Sequence, residues 1–246
     1  MREHSDTLVM SFATGLLEII VIMRKCLVGS SSAVLLLSLC AFASPASAVS
    51  QHVTNLRVES VLKAWNFPVG AVNGYFDQST RQAMCAWRDL AGRNVTHSFP
   101  SLQERFMINR AVRPKVPDRL VVGLNVNIAC QVVIWVVKDK VTGEHKIRKV
   151  FQATTGSREF PTRTGTYHIY AQTNDWQESD LYPGAMMYRP KYFDGGQAFH
   201  GSATDSLVVP YPASHGCVRM LHSAIKELWY SNVGIGTMVK VYGVWS

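Results

Sequence analysis

The decapeptide YPASHGCVRM, residues 211–220, places serine, histidine, glycine and cysteine in direct succession. Neither strand alternation nor helical spacing runs through it, and Pro210 and Pro212 precede the cluster, so it reads as a polar loop. A cysteine in such a loop has four chemical readings. Cys217 is a nucleophile, a metal ligand, half of a disulfide, or a buried thiol without chemistry.

A second cluster lies upstream. AFHGS, residues 198–202, sets His200 and Gly201 at the end of an apolar, strand-like run. A cysteine nucleophile needs a base to make thiolate, a third group to fix the imidazole, and donors aimed at the oxyanion. Glycines beside His200 and Cys217 permit tight turns and close backbone approach. Arg219 supplies a fixed cation able to grip a carboxylate through two bonds. The parts for acyl transfer therefore lie in two short stretches. A zinc site built from His200, His215 and Cys217 competes with this reading. It lacks CxxC or HExxH spacing, and no fourth ligand stands out. No metal and no other cofactor is expected. His168 and His222 have no such neighbours and read as surface or structural residues.

The remaining chain supplies context. Its 246 residues suffice for one or two domains. With 47% hydrophobic and only 17% charged residues, most of it should fold. MRKCLVGSSSAVLLLSLCAFASPASA, residues 23–48, has a basic start, a short apolar run and a small-x-small end at Ala46-Ser47-Ala48. This is a signal-peptide pattern with cleavage expected after Ala48 and Met23 as the expected start; residues 1–48 are read as a targeting segment. The apolar run is short for a membrane span, and none is expected once the signal is removed. The chain is expected to be exported to the periplasm or cell wall. Arg2, Arg24 and Lys25 balance Glu3, Asp6 and Glu18 within that segment, so the remainder keeps the whole net charge of +8. Such charge suits an anionic polymer. No dense Lys/Arg stripe or nucleic-acid signature accompanies it, and no nucleic-acid partner is expected. The exported chain keeps Cys85, Cys130 and Cys217. In an oxidising compartment two pair, and Cys85–Cys130 is the economical choice because it leaves Cys217 for chemistry.

Residues 49–110 read as helical. Val58, Val61, Leu62 and Trp65 follow the helical interval, and a second helix carries Ala83, Met84 and Trp87 behind a cap expected at Ser79 or Thr80. Gly70, Gly74 and Phe76, the Ser79-Thr80 cap and Trp87 resemble elements of the small helical peptidoglycan-binding domain, with Asp77 where that domain has glycine. The same helices suit a scaffold without a ligand, its aromatics serving as core. Residues 111–119, with two prolines and several charges, read as a linker. From residue 120 to 246 the pattern turns to short Val- and Ile-rich strands and one helix, HSAIKELWYSN, with Ser223 expected to cap it. The fold class is thus a mainly β domain preceded by a small all-α domain.

FHG…YPASHGCVRM resembles the active-site signature of the L,D-transpeptidase catalytic domain, the YkuD-type family. FPTRTGTYHI resembles its TPTGTF-I segment, YFDGGQAFHG its F-x-G-G-x-x-x-H-G run, and the closing helix with GTMVKVYG its last strand. The resemblance covers about residues 117–243. It implies a β-sandwich-like fold and a cysteine acyl-enzyme on peptidoglycan stem peptides. It makes Cys217 the nucleophile and His200 its base, oriented by the Gly201 backbone. His215 and the amides of Gly216 and Cys217 line the oxyanion side, while Ser214 and Arg219 bind the donor peptide. The implied reaction expels D-alanine from a stem tetrapeptide and transfers the acyl group to an amine, making a 3→3 crosslink. An L,D-carboxypeptidase of the same mechanism and a non-catalytic wall-binding protein are the alternatives. Peptidoglycan is the implied partner, and carbapenems are expected to acylate the cysteine.

Overall fold

The run VVIWVVK becomes strand β2, Val132–Lys138, in a computed structural model that describes residues 45–246, with side chains from His52 onward. Its first five residues are all buried, because both faces of the sheet are covered. Val132, Ile134 and Val136 face one core, whereas Val133 and Trp135 face another. That split follows from the period of two along a strand.

Three helices cover the first face. They are α1 (Pro45–Ala64), α2 (Gln78–Leu90) and α3 (Leu102–Asn109). Val58 and Leu62 of α1, Ala83, Met84 and Trp87 of α2 and Ile108 of α3 share a core with Val132, Ile134, Val136, Ile147 and Val150. The expected targeting segment lies outside the described residues as far as Ser44, and its expected cleavage point after Ala48 falls in the first turn of α1. None of the helices among the described residues is long and apolar enough to cross a membrane.

The cap of α2 differs from expectation. Asp77 is the N-cap and its carboxylate accepts from the Thr80 amide, while the Ser79 hydroxyl donates to the same carboxylate. Asp77 wins because its position in extended backbone just ahead of the helix lets its oxygen reach back to an open amide. A capping box of Ser101 and Glu104 starts α3. Glu104 also holds the buried Arg88 at 2.7 Å. The Arg88 guanidinium further donates to the carbonyls of Thr96, Ser98 and Phe99, and so gathers the α2–α3 loop. Cys85 of α2 is disulfide-bonded to Cys130, in the turn after β1 (Gly123–Asn127), which is the expected pairing. It ties the helices covalently to the sheet.

The sheet is mixed and strongly non-sequential. Its further strands are β3 (His145–Thr154), β4 (Gly165–His168), β5 (Ala171–Gln172), β6 (Trp176–Glu178), β7 (Met186–Asp194), β8 (Gln197–Gly201), β9 (Val218–Met220) and β10 (Met238–Tyr242). Their order is β4-β10-β1-β2-β3-β9-β8-β7-β5, with β6 also paired to β7. Two neighbour pairs are parallel, β1 with β10 and β8 with β9. The second face packs Leu124, Val126, Val133, Trp135 and Phe151 with Phe199, Val218 and Met220 and with Ala224, Ile225 and Leu228 of α4 (His222–Tyr230). Ser223 does not cap α4. Leu221 holds the N-cap position without a side-chain bond, and the His222 amide donates instead to the Asp205 carboxylate at 2.8 Å. The chain enters α4 directly from β9, so Ser223 already lies within the first turn.

Candidate active site

The parallel pairing of β8 and β9 builds the site. Phe199 lies opposite Val218, His200 opposite Arg219, and Gly201 opposite Met220. Cys217 immediately precedes β9, the Ala198 backbone hydrogen-bonds its thiol, and Arg219, paired with His200, bears electrostatically on both His200 and Cys217. Two clusters 17 positions apart in the chain thus become neighbours because their strands are neighbours.

His200 is 6% exposed. Its Nδ1 lies 2.9 Å from the Gly201 carbonyl. A carbonyl oxygen can only accept, so Nδ1 carries the proton and Nε2 keeps its lone pair in the neutral ring. Burial holds the imidazole down to a pKa of about 4, with the nearby Arg219 cation acting in the same direction and the Gly201 bond opposing. His200 is therefore a neutral, oriented acceptor at neutral pH. Burial likewise pushes the Cys217 thiol above its ordinary value, against a hydrogen bond from the Ala198 backbone and the charge of Arg219. Both groups rest uncharged.

The loop around Cys217 is held from several directions. The thiol lies 3.7 Å from the Gly196 carbonyl. The Ser214 hydroxyl donates to the Cys217 carbonyl at 2.5 Å and accepts from the Gly216 amide at 3.2 Å. The Gly216 carbonyl accepts from the Thr162 hydroxyl, which itself accepts from the Gly156 amide. Gly216 has φ +105°, and a Cβ there would come within 2.8 Å of the Gln197 amide nitrogen, so glycine is required twice over. Arg219 is half-buried and donates to the Ala213 carbonyl at 3.2 Å. His215 is exposed, its ring between those of Phe160 and Tyr182 at 4.9 and 4.7 Å. The Gly216 amide, expected at the oxyanion, is thus engaged by Ser214, and His215 belongs to the rim.

Sequence reasoning passed over three contributors. Thr162 lies in the FPTRTG stretch, but nothing local marks its hydroxyl as a partner for Gly216. His222 was read as ordinary, yet its Nδ1 meets Asp205 at 2.8 Å and its ring packs on Tyr188 and Trp176. A Cβ on Gly201 would lie 2.8 Å from His222 Cδ2, so this pair backs the residue that orients His200. Gln131 is the third. Among the described residues no group of three or more His, Cys, Asp or Glu side chains is placed to hold a metal ion.

A family model for the L,D-transpeptidase catalytic domain, YkuD, matches residues 122–241. These residues are an L,D-transpeptidase catalytic domain. Several solved structures are similar to the chain. An L,D-transpeptidase from Xylanimonas cellulosilytica DSM 15894 is 29% identical, with a TM-score of 0.56 over 76% of this chain and 92% of that one. That coverage exceeds the transpeptidase domain and so takes in part of the helical segment. An L,D-transpeptidase from Stackebrandtia nassauensis is 20% identical, with a TM-score of 0.43 over 78% and 91%. An L,D-transpeptidase solved in complex with imipenem is 16% identical, with a TM-score of 0.40 over 48% and 57%. A search of curated protein sequences returns no match. The transpeptidase domain carries Cys217 and His200 on its β8–β9 pair, in the two segments whose sequences resemble the family's signature.

Proposed function

We propose that the protein is an exported cysteine L,D-transpeptidase acting on peptidoglycan stem tetrapeptides. The observation that carries this is the β8–β9 pairing, which brings the Cys217 loop beside His200, with His200 held as an Nε2 acceptor by Gly201. In the first step His200 takes the Cys217 proton as sulfur attacks the carbonyl carbon of the L,D peptide bond. The carbon–nitrogen bond breaks, and His200 returns the proton to the departing D-alanine amine. An acceptor amine then attacks the thioester and gives up a proton through His200, and Cys217 leaves as the thiol. The product is a 3→3 crosslink. The Cys217 amide serves the oxyanion; the Gly216 amide joins it only by releasing Ser214. Arg219, Ser214 and the rim residue His215 shape the donor pocket.

Export is supported by the signal pattern in residues 23–48 and by the Cys85–Cys130 disulfide, a bond that persists in oxidising compartments. The basic charge suits an anionic wall. The test is incubation with a disaccharide tetrapeptide, read by intact mass and product mass. Loss of D-alanine, a thioester on Cys217 and a crosslinked product are expected, and Cys217→Ala should abolish all three. Tripeptide without crosslink would make the enzyme an L,D-carboxypeptidase. A free thiol with no D-alanine released would sink both. Imipenem should likewise acylate Cys217.

A further inference from the structure

Gln131 is buried and far from the cleft in sequence, yet its amide is fully used. Nε2 donates to the Ile128 carbonyl and to the Thr155 hydroxyl, both at 2.7 Å, and Oε1 accepts from the Thr155 amide at 2.7 Å. Thr155 is fully buried, and its carbonyl accepts from the amides of Ala213 and Ser214, both at 3.0 Å. Ser214 in turn grips the Cys217 carbonyl and the Gly216 amide. A continuous path of hydrogen bonds therefore runs from Gln131 through Thr155 and Ser214 to the backbone of Cys217.

The near end of that path is anchored. Gln131 follows Cys130 of the disulfide, and its own carbonyl accepts from Gln82 of α2 at 2.7 Å and from the Ala153 amide at 3.0 Å. It holds φ +54°, a left-handed conformation that a side chain tolerates only when its surroundings fix it. Unlike a core glutamine that satisfies only its own neighbours, Gln131 converts the fixed position of the β1–β2 turn into a fixed position for the loop bearing the thiol.

We propose that Gln131 is a positioning residue for Cys217, setting the loop 213–217 through Thr155 and Ser214. The inference rests on the transpeptidase reading. The experiment is the rate constant for acylation of Cys217 by imipenem, followed by intact mass, with the final labelled fraction and the thermal midpoint recorded separately. Gln131→Met keeps length and removes the three bonds. It should slow acylation roughly 10- to 100-fold, the scale of a 1 Å misplacement, while the labelled fraction still reaches completion. The double variant Gln131→Met with Ser214→Ala should lose no more than the worse single variant, since both cut one path. Ser101→Ala, which removes the cap of α3 and touches no residue of the path, should keep the wild-type rate constant even if its thermal midpoint falls. An unchanged rate in Gln131→Met, losses that multiply in the double variant, or an equal loss in Ser101→Ala would overturn the proposal. If Gln131→Met does not fold, Thr155→Val decides: a several-fold slower rate supports the path and an unchanged rate overturns it. Wild-type protein that resists acylation would instead overturn the transpeptidase reading.

Discussion

His200 and His215 each precede a glycine, and each belongs to a short polar cluster near Cys217. Their environments are opposite. His200 is buried on a strand, its Nδ1 fixed on the Gly201 carbonyl, whereas His215 is exposed in a loop against Phe160 and Tyr182. The residue adjacent in sequence belongs to the rim. The residue 17 positions back is the one that strand pairing carries beside the loop of the thiol. Proximity along the chain is a poor guide to a base, because neighbouring side chains point apart while paired strands align theirs.

Replacing each histidine tests that contrast most strongly. His200→Ala should cost about 10²–10⁴ in the rate of Cys217 acylation, the range of a general base. His215→Ala should cost about tenfold, less than the ~10²–10³ of a dedicated oxyanion donor. Equal losses in imipenem labelling would erase the distinction.

The pH profile sharpens it further. With a pKa of about 4, His200 stays neutral and able to accept a proton through the neutral range. Acylation should hold from pH 7 to about 5 and fall as pH drops through about 4; an inflection near 6.5 would point to a solvated histidine instead. Folding carries the same sign. The fold favours the neutral ring, so the stability this adds above the ordinary value near 6.5 is lost as pH falls towards 4. Thermal midpoints across that window would register it.

The smallest effect concerns the support behind His200. Asp205→Asn weakens the carboxylate's hold on the His222 ring and on the α4 amide. A stability loss of about 1 kcal/mol is expected, with a modest fall in acylation rate. Denaturant melts alongside labelling would separate the two.

Much of this was legible from residues alone. Short Val- and Ile-rich runs announced the sheet, and the two glycine-flanked clusters fall on the neighbouring strands β8 and β9 and the loop before β9. The choice of Cys85–Cys130, made because it leaves Cys217 for chemistry, matches the disulfide that forms. What stayed hidden depends on contacts across the fold. Asp77 outcompetes the Ser79-Thr80 pair as a cap because backbone direction, not residue type, decides which oxygen faces the free amides. Gln131, Thr162 and the Asp205–His222 pair reach the site through partners 6 to 54 positions away, and no local pattern encodes such distances. The apolar residues of the helical segment share one core with β2 and β3, a contact that helical spacing alone does not encode.

The position of β10 has a temporal consequence. This last strand inserts between β4 and β1, pairing Leu124 with Val239 across more than a hundred residues. Until β10 arrives, β1 has an open edge and β4 has no partner on that side. Closure of such long-range pairs is slow. The covalent link between residues 85 and 130 needs neither β9 nor β10, so an oxidised half-molecule with helices already fastened to β1 and β2 can await the final strand. Truncation a few residues before Met238 should therefore leave a disulfide-bonded but unclosed sheet, prone to capture another chain at its exposed edge.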